Sequence, residues 1–211
     1  VVTTDVAHPV AGGSSSVSPD EEETEMTTMT HPLPDPLTDT GRRTALADLT
    51  ADLDRAVRGH GSEAATADAV SRALAQHLGA VGLLTEEERE GDPERYRQHV
   101  LHVADDGAFS LVALVWLPGQ ATPVHDHVCW CVVGVHEGEE EEIRYALDGG
   151  RLVVTEQRVN PLGDVSVALP PGDIHLVRNA GTDVAVSLHV YGADLRLTGT
   201  SIRRRYDLPV A

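Results

Sequence analysis

The sequence predicts a mostly β protein, a small barrel preceded by a short helical region. Three observations carry that expectation. Before about residue 105, apolar residues recur at intervals of three and four, the period of a helix. After residue 106 the pattern changes to short β-prone runs. Turn residues separate those runs at close intervals, as in sandwiches and barrels.

Residues 1–38 are expected to be a disordered acidic tail. They hold Gly12-Gly13, Ser14–Ser16, the acidic run Asp20–Glu25 and the Pro-rich His31–Pro36, with no basic residue. Such a segment buries too little to offset its chain entropy. Residues 39–105 read as a helical N-terminal region that forms one domain with the barrel. Leu46, Leu49, Leu53, Ala56 and Val57 share a helix face that ends near Gly59. Ser62 caps a second helix, with Val70, Leu74 and Leu78 on one side and Gly79 at its end. Thr85-Glu86-Glu87-Glu88 has the capping-box pattern, and Asp92-Pro93 opens a further turn. Residues 106–211 form the barrel. Its strands are Phe109–Leu117, Val128–Val135, Glu140–Tyr145, Leu152–Arg158, Val165–Leu169, Ile174–Arg178 and Val184–Tyr191.

Composition narrows the function. The chain has 211 residues, 41% of them hydrophobic and only 3% aromatic, so aliphatic side chains must fill the core. Sixteen arginines with no lysine, against 34 acidic residues, give a formal charge of −18. That sign repels a phosphate backbone, so no nucleic-acid partner is expected. The longest apolar run, Leu111–Leu117, is far below the roughly 20 residues a bilayer span needs. No basic segment leads into an apolar one, so neither a membrane partner nor a signal peptide is expected. The expected location is cytoplasmic. Cys129 and Cys131 are one residue apart and cannot staple a fold.

Histidine carries the chemistry. In His125-Asp126-His127 strand alternation puts two imidazoles on one face, with Cα atoms roughly 6.6 Å apart, a span that one metal ion can close. His175, just after Pro170-Pro171-Gly172 at the start of another strand, is the candidate third ligand. Two polar residues at a strand end would give the same short pattern. A zinc tetrad of His125, His127, Cys129 and Cys131 is out of reach, because its ends lie roughly 20 Å apart along a straight strand. Ser187, His189 and Tyr191 share one face of a later strand. A hydroxyl, an imidazole and a phenol in a row can form a hydrogen-bonded relay or simply a polar strand face.

The wider spacing resembles a known superfamily. Gly119, His125, His127, Cys131 and Gly138 follow the first cupin motif, with Cys131 where its Glu usually stands. Pro170, Pro171, Gly172, His175 and Asn179 follow the second, with its leading Gly off by one at Gly163. The resemblance implies a double-stranded β-helix with a metal inside the barrel. Without the Glu, three neutral imidazoles leave a divalent ion its full charge, which favours an anionic ligand such as a thiolate. HDH, PPGDIHLVRN and SLHVY together resemble the cysteine dioxygenase family, especially its bacterial branch, over roughly Tyr96 to Asp207.

That resemblance implies iron(II) held by His125, His127 and His175. It implies a relay of Ser187, His189 and Tyr191, and a small thiol carboxylate and O2 as substrates. It also puts Cys131 near the position from which some members form a thioether to this tyrosine, with Cys129 second to it. For the carboxylate it implies Gln98, with Arg97 as the alternative, and a C-terminal arginine for which Arg204 is chosen from Arg203–Arg205. A solvated surface cluster is the competing reading of that triplet. Two other functions remain in competition: a cupin acting on a non-thiol substrate, and a metal-binding cupin that senses a ligand without turnover. Glu137 and Glu139–Glu142 are expected to be a solvated hairpin and edge. Trp116 and Trp130 are expected to pack, and His136 to lie at the surface.

Overall fold

The computed structural model describes residues 36–211, so the tail expected over residues 1–38 lies outside the described residues but for its last three. Helices α1 (Pro36–Val57) and α2 (Glu63–Ala75) come first, followed by a single 3-10 turn over Glu87–Arg89. The Ser62 side chain accepts from the Ala65 amide and starts α2. Thr85 and Glu88 exchange the reciprocal bonds of the capping box: the Thr85 amide donates to Glu88 Oε2 at 2.9 Å and the Glu88 amide to Thr85 Oγ1 at 3.1 Å. Asp92 accepts from the Glu94 amide at 2.8 Å, a local turn that no helix continues.

Ten strands follow: β1 (Arg97–Val103), β2 (Ser110–Trp116), β3 (His125–His127), β4 (Cys131–Glu137), β5 (Glu139–Asp148), β6 (Arg151–Pro161), β7 (Val165–Ala168), β8 (His175–Arg178), β9 (Ala185–Tyr191) and β10 (Ile202–Arg205). A one-turn helix α3 (Leu195–Thr198) precedes the last. They form two five-stranded antiparallel sheets, ordered β1-β2-β9-β4-β7 and β10-β3-β8-β5-β6. This is the mostly β double-stranded β-helix with N-terminal helices that the motifs imply. The span expected to be helical over residues 39–105 is corrected at its end, where β1 pairs with β2 from Arg97↔Val115 to Val103↔Ser110. Its residues are half-buried or exposed, as suits a sheet edge, and pairing with β2 makes it a strand.

Alternation explains why the first sheet is apolar on both sides. From β2, Leu111, Ala113 and Val115 pack with Leu188 and Val190 of β9 against Leu49, Leu53, Val70 and Leu74 of the helices. From the same strand, Val112, Leu114 and Trp116 turn into the barrel with Cys131, Val133 and Tyr191. A strand covered on both faces reads as a continuous apolar run, as Leu111–Leu117 does. The helices come close enough to need a glycine. A Cβ at Gly134 of β4 would stand 2.8 Å from Leu78 Cδ2 and 2.9 Å from Leu74 Cδ2. His136, expected at the surface, is buried there, and its Nδ1 accepts from the Gly79 amide at 3.2 Å, tying the chain after α2 to β4.

The acidic run is the larger correction. Glu140, Glu141 and Glu142 are buried rather than solvated. β5 lies inside the second sheet, between β8 and β6, so it has no free edge and its side chains are flanked by those of both neighbours. Each acid has a stated partner or neighbour: Glu141 pairs with Arg178 and Gln157, Glu142 with His175 and Arg144, and Glu140 faces Ser187. Among the described residues, no helix is long and apolar enough to cross a membrane.

Candidate active site

Register builds the site. His125 of β3 and His175 of β8 are direct cross-strand partners, and His127 follows two residues on, on the same face. Neighbours in an antiparallel pair stand close enough for three imidazoles to meet. Their ligand atoms all lie within 4.8 Å of one another, and among the described residues no other group of His, Cys, Asp or Glu converges in this way. Asp126, between the two histidines, points to the opposite face. There it takes hydrogen bonds from Arg203, Arg204 and Tyr206, which pin β10 and the residue after it to β3.

Each imidazole is oriented by what its Nδ1 touches. In His125 it lies 2.9 Å from the Pro123 carbonyl, in His127 2.9 Å from Asp173 Oδ2, and in His175 2.8 Å from Glu142 Oε1. A carbonyl or carboxylate can only accept, so Nδ1 carries a proton in all three and Nε2 is the atom left to face a metal ion. Burial would raise the Asp173 and Glu142 carboxyls. Hydrogen bonds to the two imidazoles, joined by backbone donors at Asp173 and by Arg144 at Glu142, together outweigh it and hold both below the ordinary range, hence ionised. Burial first, then the neighbouring His175 and His127, holds His125 down at about 3, and burial also lowers His175 despite Glu142. The Nε2 atoms of His125 and His127 are 3.2 Å apart. At that distance the two nitrogens share either a proton or a metal ion. The donor set therefore fits a divalent metal ion, held by nitrogens alone.

Opposite this group, β9 presents Ser187, His189 and Tyr191, all buried and on one face as alternation predicts. Ser187 Oγ is 2.9 Å from His189 Nε2, and Tyr191 Oη is 3.0 Å from His189 Nδ1. Burial keeps Tyr191 well above its ordinary value and His189 well below, so both are neutral. Trp116 packs as expected, and its Nε1 also donates to Ser187 Oγ at 3.1 Å. Cys131 is the direct cross-strand partner of Tyr191, and burial raises its thiol well above the usual range. Cys129 is raised to about 11, also by burial.

A small cavity between the sheets joins the two groups. His125, His127, His175, His189 and Tyr191 line it, with Gln98 of β1 and Tyr96 beside them and Thr122, Thr200 and Ser201 completing its polar wall. Gln98, expected to meet the carboxylate, is thus part of the lining. Arg97 does not, since its Nη1 lies 3.3 Å from Glu90 Oε2. Arg204 is not brought to the lining either: it bonds Asp126 at 2.9 Å and its side chain is 59% exposed. Asp173, Glu142, Tyr96 and Glu140 escaped the sequence reading. The signal for the glutamates was their strand-period spacing on a run that only their number made look solvated.

The family described as cysteine dioxygenase type I matches this chain over residues 43–199. Similar solved structures include an uncharacterized conserved protein with a double-stranded β-helix domain from Klebsiella pneumoniae. It is 20% identical over 52% of this chain and 86% of that one, with a TM-score of 0.42. A protein from Thermus thermophilus is 23% identical over 52% of this chain and 96% of its own, with a TM-score of 0.42. An RmlC-like cupin protein from Desulfovibrio desulfuricans is 28% identical over 49% and 88%, with a TM-score of 0.38.

Proposed function

This chain belongs to the cysteine dioxygenase type I family, and from that premise we propose that it is an iron(II) thiol dioxygenase. It converts a small thiol carboxylate, L-cysteine or 3-mercaptopropionate, and O2 to the corresponding sulfinate. The balance is simple: a thiolate gains both atoms of one O2 and becomes a sulfinate. The observation that carries this reading is the donor set, three imidazoles with no carboxylate among them, facing a neutral Ser-His-Tyr row across one cavity.

His125, His127 and His175 would hold the iron, whose positive charge would lower the pKa of the substrate thiol. Tyr191, oriented by His189 and through it by Ser187, donates a hydrogen bond to the oxygen or the substrate at the reacting centre. The buried walls exclude water and so strengthen that bond. Gln98 binds the carboxylate end with its amide. Arg204 contacts the carboxylate only by exchanging Asp126 for substrate. Arg204→Ala tests this: a raised KM for the thiol acid follows from exchange, and lowered stability at unchanged KM follows if Arg204 serves Asp126 alone.

We also propose a thioether between Cys131 and Tyr191, which their cross-strand pairing supports. The Sγ–ring bond forms with loss of the thiol hydrogen and one ring hydrogen, and O2, already the co-substrate, takes the two electrons and two protons. Intact-mass measurement reads it as a loss of two hydrogens that Cys131→Ser abolishes.

The test of the function is oxygen uptake by anaerobically iron-loaded protein offered L-cysteine and 3-mercaptopropionate in parallel. Uptake with matching sulfinate is expected for at least one of them. Stoichiometric iron with no uptake from either thiol overturns the proposal, and points to a non-thiol substrate or a sensing role.

A further inference from the structure

Glu140 is a buried titratable group that the reaction above leaves unused. It lies on β5, is 1% exposed, and its Oε1 has no hydrogen-bond partner. Across the barrel its carboxyl meets the Ser187 hydroxyl of β9 and the Trp116 indole of β2, and Glu142 of its own strand faces it as well. Burial raises this carboxyl most, the Ser187 hydrogen bond and the indole oppose, Glu142 adds to the rise, and the balance is about 7.

Counting donors around Ser187 fixes what such a carboxyl does. A hydroxyl has one proton and two lone pairs, and an indole N–H only donates. Trp116 Nε1 donates to Ser187 Oγ at 3.1 Å and takes up one lone pair. A protonated Glu140, which faces Ser187, is available to donate to the other. Ser187 must then give its own proton to His189 Nε2, 2.9 Å away. His189, neutral because burial and then His127, His175 and His125 oppose its charge, is protonated at Nδ1 and donates to Tyr191 Oη at 3.0 Å. The phenolic proton is left to point away from His189, toward the cavity where Ser201 also stands.

An ionised Glu140 reverses every link. Ser187 gives its proton to the carboxylate, His189 carries its proton on Nε2, and Tyr191 gives its proton to His189 Nδ1. Only phenolic lone pairs then face the cavity. The two states differ by one proton, which leaves to the cavity at the Tyr191 end as each link passes its proton along. The other groups that face the relay are Cys131, Cys129 and Tyr96, around Tyr191.

We propose that Glu140 is a positioning residue that sets the direction of the Ser187–His189–Tyr191 relay, making Tyr191 a donor to the cavity when protonated and an acceptor when ionised. Its effect on turnover rests on the dioxygenase reading, whereas the orientation itself does not.

The test has one arm for each. In full-length, ¹⁵N-labelled protein loaded with zinc(II), a diamagnetic ion, the tautomer of His189 is read by long-range ¹H–¹⁵N correlation at about pH 6 and about pH 8. Wild type is expected to pass from the Nδ1–H to the Nε2–H form. Glu140→Gln, whose amide always donates, is expected to keep Nδ1–H at both. In iron-loaded protein, wild-type kcat is expected to fall about tenfold over the same range, as for one group titrating near 7. Glu140→Gln and Glu140→Met are expected to stay flat.

A wild-type tautomer identical at both pH values overturns the proposal, whether or not either variant folds. So does an alkaline limb that survives in Glu140→Gln. A tautomer that follows pH in a protein oxidising no thiol supports the orientation and removes the dioxygenase reading. A fixed tautomer in an active dioxygenase does the reverse.

Discussion

The histidines of β3 and β8 and the Ser-His-Tyr row of β9 face one another across the same cavity, yet their hydrogen bonds are of different kinds. On the histidine side every Nδ1 meets a group that can only accept: a backbone carbonyl or an ionised carboxylate. The proton on each Nδ1 is thereby fixed, and so is the direction of each Nε2. On the β9 side the links join hydroxyl, imidazole and phenol, all able to give or take a proton. One wall has a single hydrogen-bond polarity, suited to holding a cation. The other has two, suited to delivering a proton or withholding it. The distinction comes from where the acids lie: Asp173 and Glu142 brace the first wall, and a neutralisable Glu140 stands at the end of the second.

The largest expected effects separate the two walls. His175→Ala removes one of three nitrogens and is expected to abolish both stoichiometric iron binding and turnover, read by metal analysis and oxygen uptake. Tyr191→Phe deletes the hydroxyl at the open end of the relay. It is expected to keep full iron and lower kcat by about a hundredfold, the low end of what a positioned proton donor contributes. Unchanged turnover in Tyr191→Phe would reduce the β9 row to a packed polar strand.

A smaller effect is expected from loosening the first wall without touching a ligand. Glu142→Gln replaces an obligate acceptor by a group that can also donate to His175 Nδ1. Iron affinity is expected to weaken by about tenfold to a hundredfold, the usual cost of losing such a partner, measured by competition with a chelator. Affinity equal to wild type would mean that the carboxylate does not set the ring's orientation. The smallest effect on the chemistry is expected from Leu188→Ala, on the outer face of the relay strand. Leu188 is fully buried against the helices, so stability is expected to fall by about 2–5 kcal/mol while kcat and iron content stay at the wild-type level. A large kcat loss there would show that the two faces of β9 are coupled.

These walls were legible in the sequence to different depths. His125, His127 and His175 stood out because ligand spacing on strands is local and turns mark where strands begin. Ser187, His189 and Tyr191 followed from the period of two. The braces did not, because each depends on pairing between distant segments. Asp173 reaches His127 across 46 positions and Glu142 reaches His175 across 33. Glu139–Glu142 carries the charge of a solvated edge, and only the order of strands in the second sheet reveals that β5 is interior. β1 and β10 escaped for a related reason. Arg97–Val103 and Ile202–Arg205 carry mixed polar residues, and the strands they pair with, β2 and β3, are what make them strands. Arg204 shows the same limit at the site. The sequence supplies a guanidinium near the end of the chain, while the buried Asp126 decides where it points.

The most direct measurement of the central claim is the fate of labelled oxygen. Iron-loaded protein turns over its preferred thiol under ¹⁸O₂, and the sulfinate is weighed. Both labelled atoms on one sulfur are expected, since thiolate and O2 combine whole in the site formed by His125, His127, His175 and Tyr191. Sulfinate carrying one labelled atom, or disulfide with the label in water or peroxide, would contradict it.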